Sequence, residues 1–301
     1  MSTSAVIETA ISYTIQTLSY FFKAYLIFLV VAPITAVYQE AKIWANPNLP
    51  SLSIFGMIKV YLLNLIWMVT TTIASLILLP KVILRMDVER DAHCLMERLS
   101  AIFCTILVVG PVQIRNAHNL PPDNTACIYI ANHASQIDLA VVYFIFRRFK
   151  WISKKSVTYL PGVGTLMAMS GHVFIERNKS KDKSHTVKQM YNQAKINLSN
   201  NIPMFIFPQG TRRWGQRLPF KYGAFNMATD NQVPIVPISI DIPNQVWNDA
   251  YPLNILWTKK DPIVLTVHQP ILVTKDTDKE KLMNDCDNII YSVLPDFSKQ
   301  S

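Results

Sequence analysis

Glycine is scarce in this chain, 8 in 301 residues, and no glycine-rich phosphate loop occurs. That removes the nucleotide-binding signatures, which need clustered glycines for close backbone approach to a pyrophosphate. Charge is sparse too: 16% of residues are Asp, Glu, Lys or Arg, where an ordinary soluble domain has about 25%. Hydrophobic residues make up 50% and mean hydropathy is +0.20, so part of the chain is expected to lie in lipid. The four cysteines, Cys94, Cys104, Cys127 and Cys286, show no CxxC spacing, and each stands in an apolar or helical stretch. They read as buried thiols of a reducing compartment; neither a disulfide framework nor a metal site is expected. Internal repeats and low-complexity tracts are absent.

Acidic residues are nearly missing from one segment. Residues 139–221 hold 15 lysines and arginines against only Glu176 and Asp182, a net +13. Residues 1–138 balance at 8 and 8, and residues 222–301 carry 6 basic against 10 acidic side chains. The excess is local and points to an anionic partner there. Nucleic acid and phosphate-bearing lipid both fit such a charge, but no nucleic-acid-binding motif accompanies it.

Two long apolar stretches stand near the N-terminus. Tyr20 to Tyr38 is 19 residues long and carries Lys23 and Pro33; Val60 to Pro80 runs 21 residues without a charge between Lys59 and Lys81. About 20 apolar residues span a bilayer as a helix. With Pro33 and the turn Asn46-Pro-Asn-Leu-Pro50, the pair predicts a membrane-associated helical hairpin within residues 1–118. A pair of buried core helices is the alternative. Residues 81–118 read as an amphipathic helix that becomes wholly apolar towards its end.

After Pro121-Pro122 short apolar runs alternate with helical segments, the pattern of an α/β domain. Strands are expected at 127–131, 149–153, 172–176, 203–207, 235–240 and 263–268. Helices are expected at 135–147, 161–169, 184–199, 222–229 and 278–293. This places an α/β domain at 119–275 and a C-terminal helix and tail at 276–301.

The chain is organised around CIYIANHASQID, Cys127 to Asp138. An uninterrupted apolar strand ends at Ala131, Asn132 breaks it, and a helical pattern begins at Ser135 with Asp138 in a capping-box relation. His133 and Asp138 thus share one strand-to-helix corner. A histidine there can take a proton from a substrate, with the carboxylate holding its other ring nitrogen. Helix capping alone also explains Asp138.

Three further clusters end strands, where α/β proteins place their chemistry. They are Gly171-His-Val-Phe-Ile-Glu-Arg177, Met204-Phe-Ile-Phe-Pro-Gln-Gly-Thr-Arg212 and Val233-Pro-Ile-Val-Pro-Ile-Ser-Ile240, with Pro219-Phe-Lys-Tyr-Gly-Ala-Phe225 between the last two. In this order and at these spacings the blocks resemble the glycerolipid acyltransferase family, the 1-acyl-sn-glycerol-3-phosphate acyltransferases and their relatives. Asn132, His133 and Asp138 match NHxxxxD; Phe174, Ile175 and Arg177 match the strand that ends in arginine. Phe207, Pro208, Gly210, Thr211 and Arg212 match FPEGTR, with Gln209 where the family has glutamate. Val233 to Pro237 match the apolar fourth block. The resemblance covers roughly residues 60–245.

The resemblance implies a glycerolipid-acyltransferase-like sheet flanked by helices. It implies acyl transfer from an acyl thioester, of CoA or acyl carrier protein, to the sn-2 hydroxyl of lysophosphatidate, without a resident cofactor or metal. His133 would be the general base, oriented by Asp138. Arg177 and Arg212 would hold the acceptor phosphate, and Asn132, Gln209, Gly210 and Thr211 would line the substrate site. Location at the cell membrane with the catalytic domain facing the cytoplasm follows. Two departures stand out: Glu176 replaces the usual aspartate before Arg177, and Gln209 carries no charge. The rival readings are transfer to another lysolipid, such as a lyso-ornithine lipid or a remodelled lysophospholipid, and an inactive lipid-binding homologue marked by Gln209.

Overall fold

The computed structural model describes residues 19–20, 22–23, 25–27, 30–31, 54–176, 183–213, 217–243, 246 and 262–295. The chain divides into two compact units, Met1–Leu52 and Ser53–Ser301. In the first, every described residue between Ser19 and Val31 is helical, and all but Ser19 fall within the first expected apolar stretch. Residues 32–38 and the Asn46–Pro50 turn, on which the expected hairpin rests, lie outside the described residues.

The second unit opens with α1, Ile54–Ile83, a 30-residue helix covering the second apolar stretch. The hydroxyls of Thr71 and Ser75 turn back onto carbonyls of the same helix, those of Trp67 and Thr71. The chain reverses through a short turn with Arg85 at φ 55°, where Lys81 pairs with Asp91 at 2.6 Å, and enters α2, Glu89–Val109. Both helices are long and apolar enough to cross a membrane. The amphipathic helix expected across 81–118 is thus corrected: α1 takes its start, α2 its middle, and Gly110-Pro111 ends the helical run. Gly110, at φ 134°, adopts a backbone that side chains resist, and Pro111 cannot continue a helix.

Beyond that break lies β1, Val112–Arg115, a strand the apolar pattern did not announce. The others are β2 (Ile128–Ala131), β3 (Lys150–Lys154), β4 (Val173–Ile175), β5 (Met204–Ile206), β6 (Ile235–Asp241) and β7 (Ile263–Val267). They form one sheet in the order β1-β7-β6-β2-β5-β3-β4. All pairings are parallel except β6 with β7. Helices α3 (Asp138–Val141), α4 (Val163–Met169), α5 (Lys183–Ser199), α6 (Gly223–Asn231) and α7 (Lys279–Ser292) follow the expected alternation. The helix expected over 135–147 is shorter: α3 tightens into a 3-10 segment, Val142–Ile145, and ends at Phe146 in the left-handed region. β-branched residues at 141, 142 and 145 do not favour a longer helix.

Both sheet faces are covered, which is why β2 reads as continuous rather than alternating apolar sequence. Tyr129, Phe149, Phe205, Val236 and Leu265 pack against Ala101, Cys104 and Val108 of α2 and Leu63 of α1. Ile128, Ile130, Met204 and Ile235 pack against Leu198 of α5, Phe225 of α6 and Cys286 and Ile290 of α7. Burial pushes the Cys127 and Cys286 thiols up to about 12, so they behave as apolar packing groups. At Gly162 a Cβ would lie 2.4 Å from the Thr72 hydroxyl on α1, so only glycine permits this close approach.

α1 and α2 bury one side and leave another exposed. Leu76, Ile77 and Ile83 of α1, and Leu95, Leu99, Phe103, Ile106 and Leu107 of α2, are all exposed. Contiguous apolar surface of this kind marks an interaction face rather than ordinary solvated protein.

Candidate active site

The parallel strands β2 and β5 are neighbours, so their C-terminal ends emerge side by side. That juxtaposition brings His133, two residues past β2, beside Phe207, Pro208 and Gln209, which follow β5. The imidazole of His133 stacks on the Phe207 ring, centroids 3.9 Å apart and planes inclined by 10°.

Asp138 turns back from the start of α3 and is fully buried. Its Oδ2 accepts from His133 Nδ1 at 2.8 Å, from the Ala134 N–H at 2.7 Å and from the Ser135 N–H at 2.9 Å. Its Oδ1 accepts from the Ser135 hydroxyl, whose oxygen in turn accepts from the Ile137 N–H. The capping arrangement and the histidine contact therefore coexist on one carboxylate. A carboxylate accepting from Nδ1 assigns the proton to that nitrogen and leaves the Nε2 lone pair available. The His133 side chain is 11% exposed, enough to reach a substrate while its ring is held on two sides.

The backbone around His133 is fixed by side chains from distant strands. Asn132 is buried and engages Ile240 of β6 with both arms of its amide. The His133 N–H donates to Gln209 Oε1 at 2.7 Å, and the His133 carbonyl accepts from the Arg213 N–H at 3.0 Å. Gln209 is 2% exposed, and its Nε2 donates to the Tyr291 hydroxyl at 2.8 Å. Asn132 and Gln209, expected to line the substrate site, thus have amides committed to holding the His133 loop. Gly210 adopts φ 71°, and its N–H closes the turn onto the Phe207 carbonyl. A Cβ there would meet Lys221 Nζ at 2.8 Å, which places the Lys221 ammonium over this turn.

Thr211 and Arg212 are exposed on the same loop. Neither Arg212 nor Lys221 has an ion-pair partner among the described residues, so both cations are open to an external anion. Arg177 lies outside the described residues. The strand preceding it, β4, stands three strand positions from β2, a lateral distance of roughly 14 Å at ordinary sheet spacing. Tyr291 and Lys221 join the site without having been singled out: Lys221 lies in the quoted FKYGAF segment, whereas Tyr291 carried no signal, being one aromatic in the last helix.

A second polar cluster lies on the other side of β3. His93, Glu97 and His172 are buried and bring their ligand-type atoms within 4.8 Å of one another. The Trp151 N–H donates to His172 Nδ1, so the proton of that neutral ring sits on Nε2 and is given to Glu97 Oε2 at 2.9 Å. Tyr143 donates to the same oxygen at 2.8 Å. A protonated nitrogen facing the carboxylate makes this a hydrogen-bonded knot tying α2 to the sheet. Beside it the buried Lys150 pairs with Glu89 at 2.6 Å, and burial lowers its pKa against the opposing pull of that carboxylate.

The family model described as Acyltransferase matches residues 111–241, the span from β1 to the end of β6. A 1-acyl-sn-glycerol-3-phosphate acyltransferase of Cocos nucifera is 31% identical over 180 residues, 59% of this chain and 56% of that protein. The chloroplastic 1-acyl-sn-glycerol-3-phosphate acyltransferase BAT2 of Brassica napus is 33% identical over 162 residues, 54% of this chain and 46% of that one. The human 1-acyl-sn-glycerol-3-phosphate acyltransferase alpha is 34% identical over 129 residues, 42% of this chain and 44% of its own length. The chain thus spans about half the length of the curated relatives it matches. Among solved structures, the 1-acyl-sn-glycerophosphate (LPA) acyltransferase PlsC of Thermotoga maritima aligns with a TM-score of 0.54 over 93% of this chain and 95% of that one. At 17% identity that likeness speaks for the fold. The NHxxxxD corner and the FPQGTR turn are thus brought together inside the span that matches the Acyltransferase family model, and over that span the chain is similar to 1-acyl-sn-glycerol-3-phosphate acyltransferases.

Proposed function

We propose that the chain transfers a fatty acyl group from an acyl thioester to the sn-2 hydroxyl of lysophosphatidate, giving phosphatidate and a free thiol. The observation that carries this reading is the His133–Asp138 couple at the C-terminal ends of β2 and β5, in which the carboxylate engages Nδ1 at 2.8 Å and leaves Nε2 for the acceptor hydroxyl. In the reaction Nε2 takes the proton of the acceptor hydroxyl as its oxygen attacks the thioester carbonyl. The ester C–O bond forms, the C–S bond breaks, and the imidazolium returns the proton to the departing thiolate. Asp138 stabilises the imidazolium meanwhile, and base help of this kind contributes on the order of 10²–10⁴ in rate. No acyl-enzyme is required. The donor is an acyl-CoA or an acylated carrier protein, since the thioester chemistry is the same.

Arg212 and Arg177 are assigned to the acceptor phosphate, for which a guanidinium fork is well suited. Residues 20–80 are assigned to membrane attachment at the cell membrane with the catalytic domain on the cytoplasmic face; Lys81 in the last turn of α1 and Arg85 just beyond it fit the positive-inside tendency. The exposed apolar sides of α1 and α2 support this placement. The reading is tested with lysophosphatidate and an acyl thioester: His133→Ala is expected to fold and to lose transfer. Retention of more than about a tenth of wild-type turnover, against the 10²–10⁴ that a general base supplies, would remove His133 from that role.

A further inference from the structure

Gln209 stands where the acyltransferase motif has glutamate, and its two contacts define what that position does here. Oε1 accepts from the backbone of His133 and Nε2 donates to Tyr291, 82 residues further along the chain. The two bonds fix the amide's direction, because the reverse orientation would set an NH₂ group against the His133 N–H. Tyr291 is itself immobilised. Its ring lies under the Arg217 guanidinium at 5.1 Å, and Arg217 is held by Asp287 and Asn288 at 2.6 Å each. The end of α7 is tied to β6, where Ser239 donates to the Ile290 carbonyl at 2.6 Å. Burial and then the Asp287 charge raise the pKa of the Tyr291 hydroxyl, which therefore stays protonated.

A phenolic hydroxyl both donates and accepts. It can accept from an amide, as it does here, and it can rotate to donate to a carboxylate. We propose that Tyr291 is a positioning residue for His133, acting through Gln209, and that its hydroxyl lets glutamine fill the place of the motif's glutamate. The inference rests on the reading of His133 as the base. Its physical content is that α7 sets where the His133 loop stands over β5, and hence where Nε2 meets the acceptor hydroxyl. Displacements of about 1 Å at such a site cost on the order of 100-fold in rate.

The test compares the full-length protein in detergent with Tyr291→Phe, Gln209→Met, Gln209→Glu and the two double variants. Turnover is measured well below each variant's unfolding midpoint. Tyr291→Phe is expected to lower kcat about tenfold, short of the roughly 100-fold expected for a 1 Å misplacement, with KM for both substrates within about twofold. Gln209→Met should lower kcat further, and adding Tyr291→Phe to it should cause no additional loss. Gln209→Glu should exceed Gln209→Met, and that advantage should vanish in the Tyr291→Phe background, where the carboxylate has no O–H donor. The added charge should also move the acidic limb of the Gln209→Glu pH–rate profile to higher pH, a shift that a purely structural role does not produce. Full kcat in Tyr291→Phe, or losses that multiply in the Gln209→Met background, would overturn the inference. An active His133→Ala would instead overturn the base assignment on which it rests.

Discussion

Asn132 pairs with Ile240 as if it were one more residue of the β2–β6 ladder. Its Nδ2 donates to the Ile240 carbonyl at 2.9 Å, and its Oδ1 accepts from the Ile240 N–H at 2.8 Å. The side chain does what strand backbone would do, while its own backbone is free to turn and carry His133 out of the sheet.

Replacing Asn132 by Ala strands a buried N–H and a buried carbonyl, each worth about 1–3 kcal/mol when left unpaired. The unfolding midpoint should fall clearly, and turnover should fall with it at temperatures where the variant is still folded. Asn132→Asp keeps the acceptor but turns a carboxylate oxygen towards the Ile240 carbonyl, and is expected to be worse. Unchanged melting and turnover in Asn132→Ala would refute the bracing role.

Asp138→Asn should damage activity and stability together, because one oxygen serves His133, Ala134 and Ser135. An amide has one acceptor oxygen and an NH₂, so either His133 Nδ1 or the Ser135 hydroxyl then meets a donor. A fall in kcat on the order of 10²–10⁴ is expected, with a lower melting temperature. Normal turnover with lowered melting would leave Asp138 as a cap only.

Arg212→Ala should weaken the handling of lysophosphatidate by tenfold or more, since a charge-assisted bidentate pair is among the strong hydrogen bonds. A neutral monoacylglycerol acceptor should be far less affected. Equal losses for both acceptors would remove Arg212 from the phosphate site. Lys221→Ala, which removes the ammonium lying over Gly210, should show the same preference more weakly, because a lysine is a point charge rather than a fork.

Membrane binding should separate into two parts with different salt dependence. Polar replacements of Leu95, Leu99 and Phe103 on the exposed side of α2 should reduce vesicle binding equally at low and high salt. Replacing Lys179, Lys181, Lys183 and Lys188 should reduce binding to anionic vesicles only, at about 1 kcal/mol per residue near the surface and less as salt rises. Lys188 is exposed on α5; Lys179 and Lys181 lie outside the described residues. Release of the full chain from membranes by carbonate or high salt alone would contradict attachment through residues 20–80.

Local features of this protein were legible in the sequence. The runs forming β2, β5 and β6 are apolar on both faces because they end up covered on both faces. The His133–Asp138 contact spans five residues, so one strand end and one helix start suffice to form it. Other features depend on partners too distant for any periodicity to carry. β1 is only four residues long, too short for its alternation of Val112 and Ile114 with Gln113 and Arg115 to announce a strand, and its parallel register with β7 is what makes it one. Sequence and length left the apolar stretch of α1 open as a membrane span or a core helix and read the segment of α2 as part of an amphipathic helix; packing decided that α2 lays one side on the sheet and leaves another exposed. Asn132 meets Ile240 across 108 residues, His133 meets Gln209 across 76, and Gln209 meets Tyr291 across 82. Spacing and residue type placed the base and its carboxylate at one corner, but the height and angle at which that corner stands are set by side-chain amides and a tyrosine hydroxyl that only the folded sheet brings together.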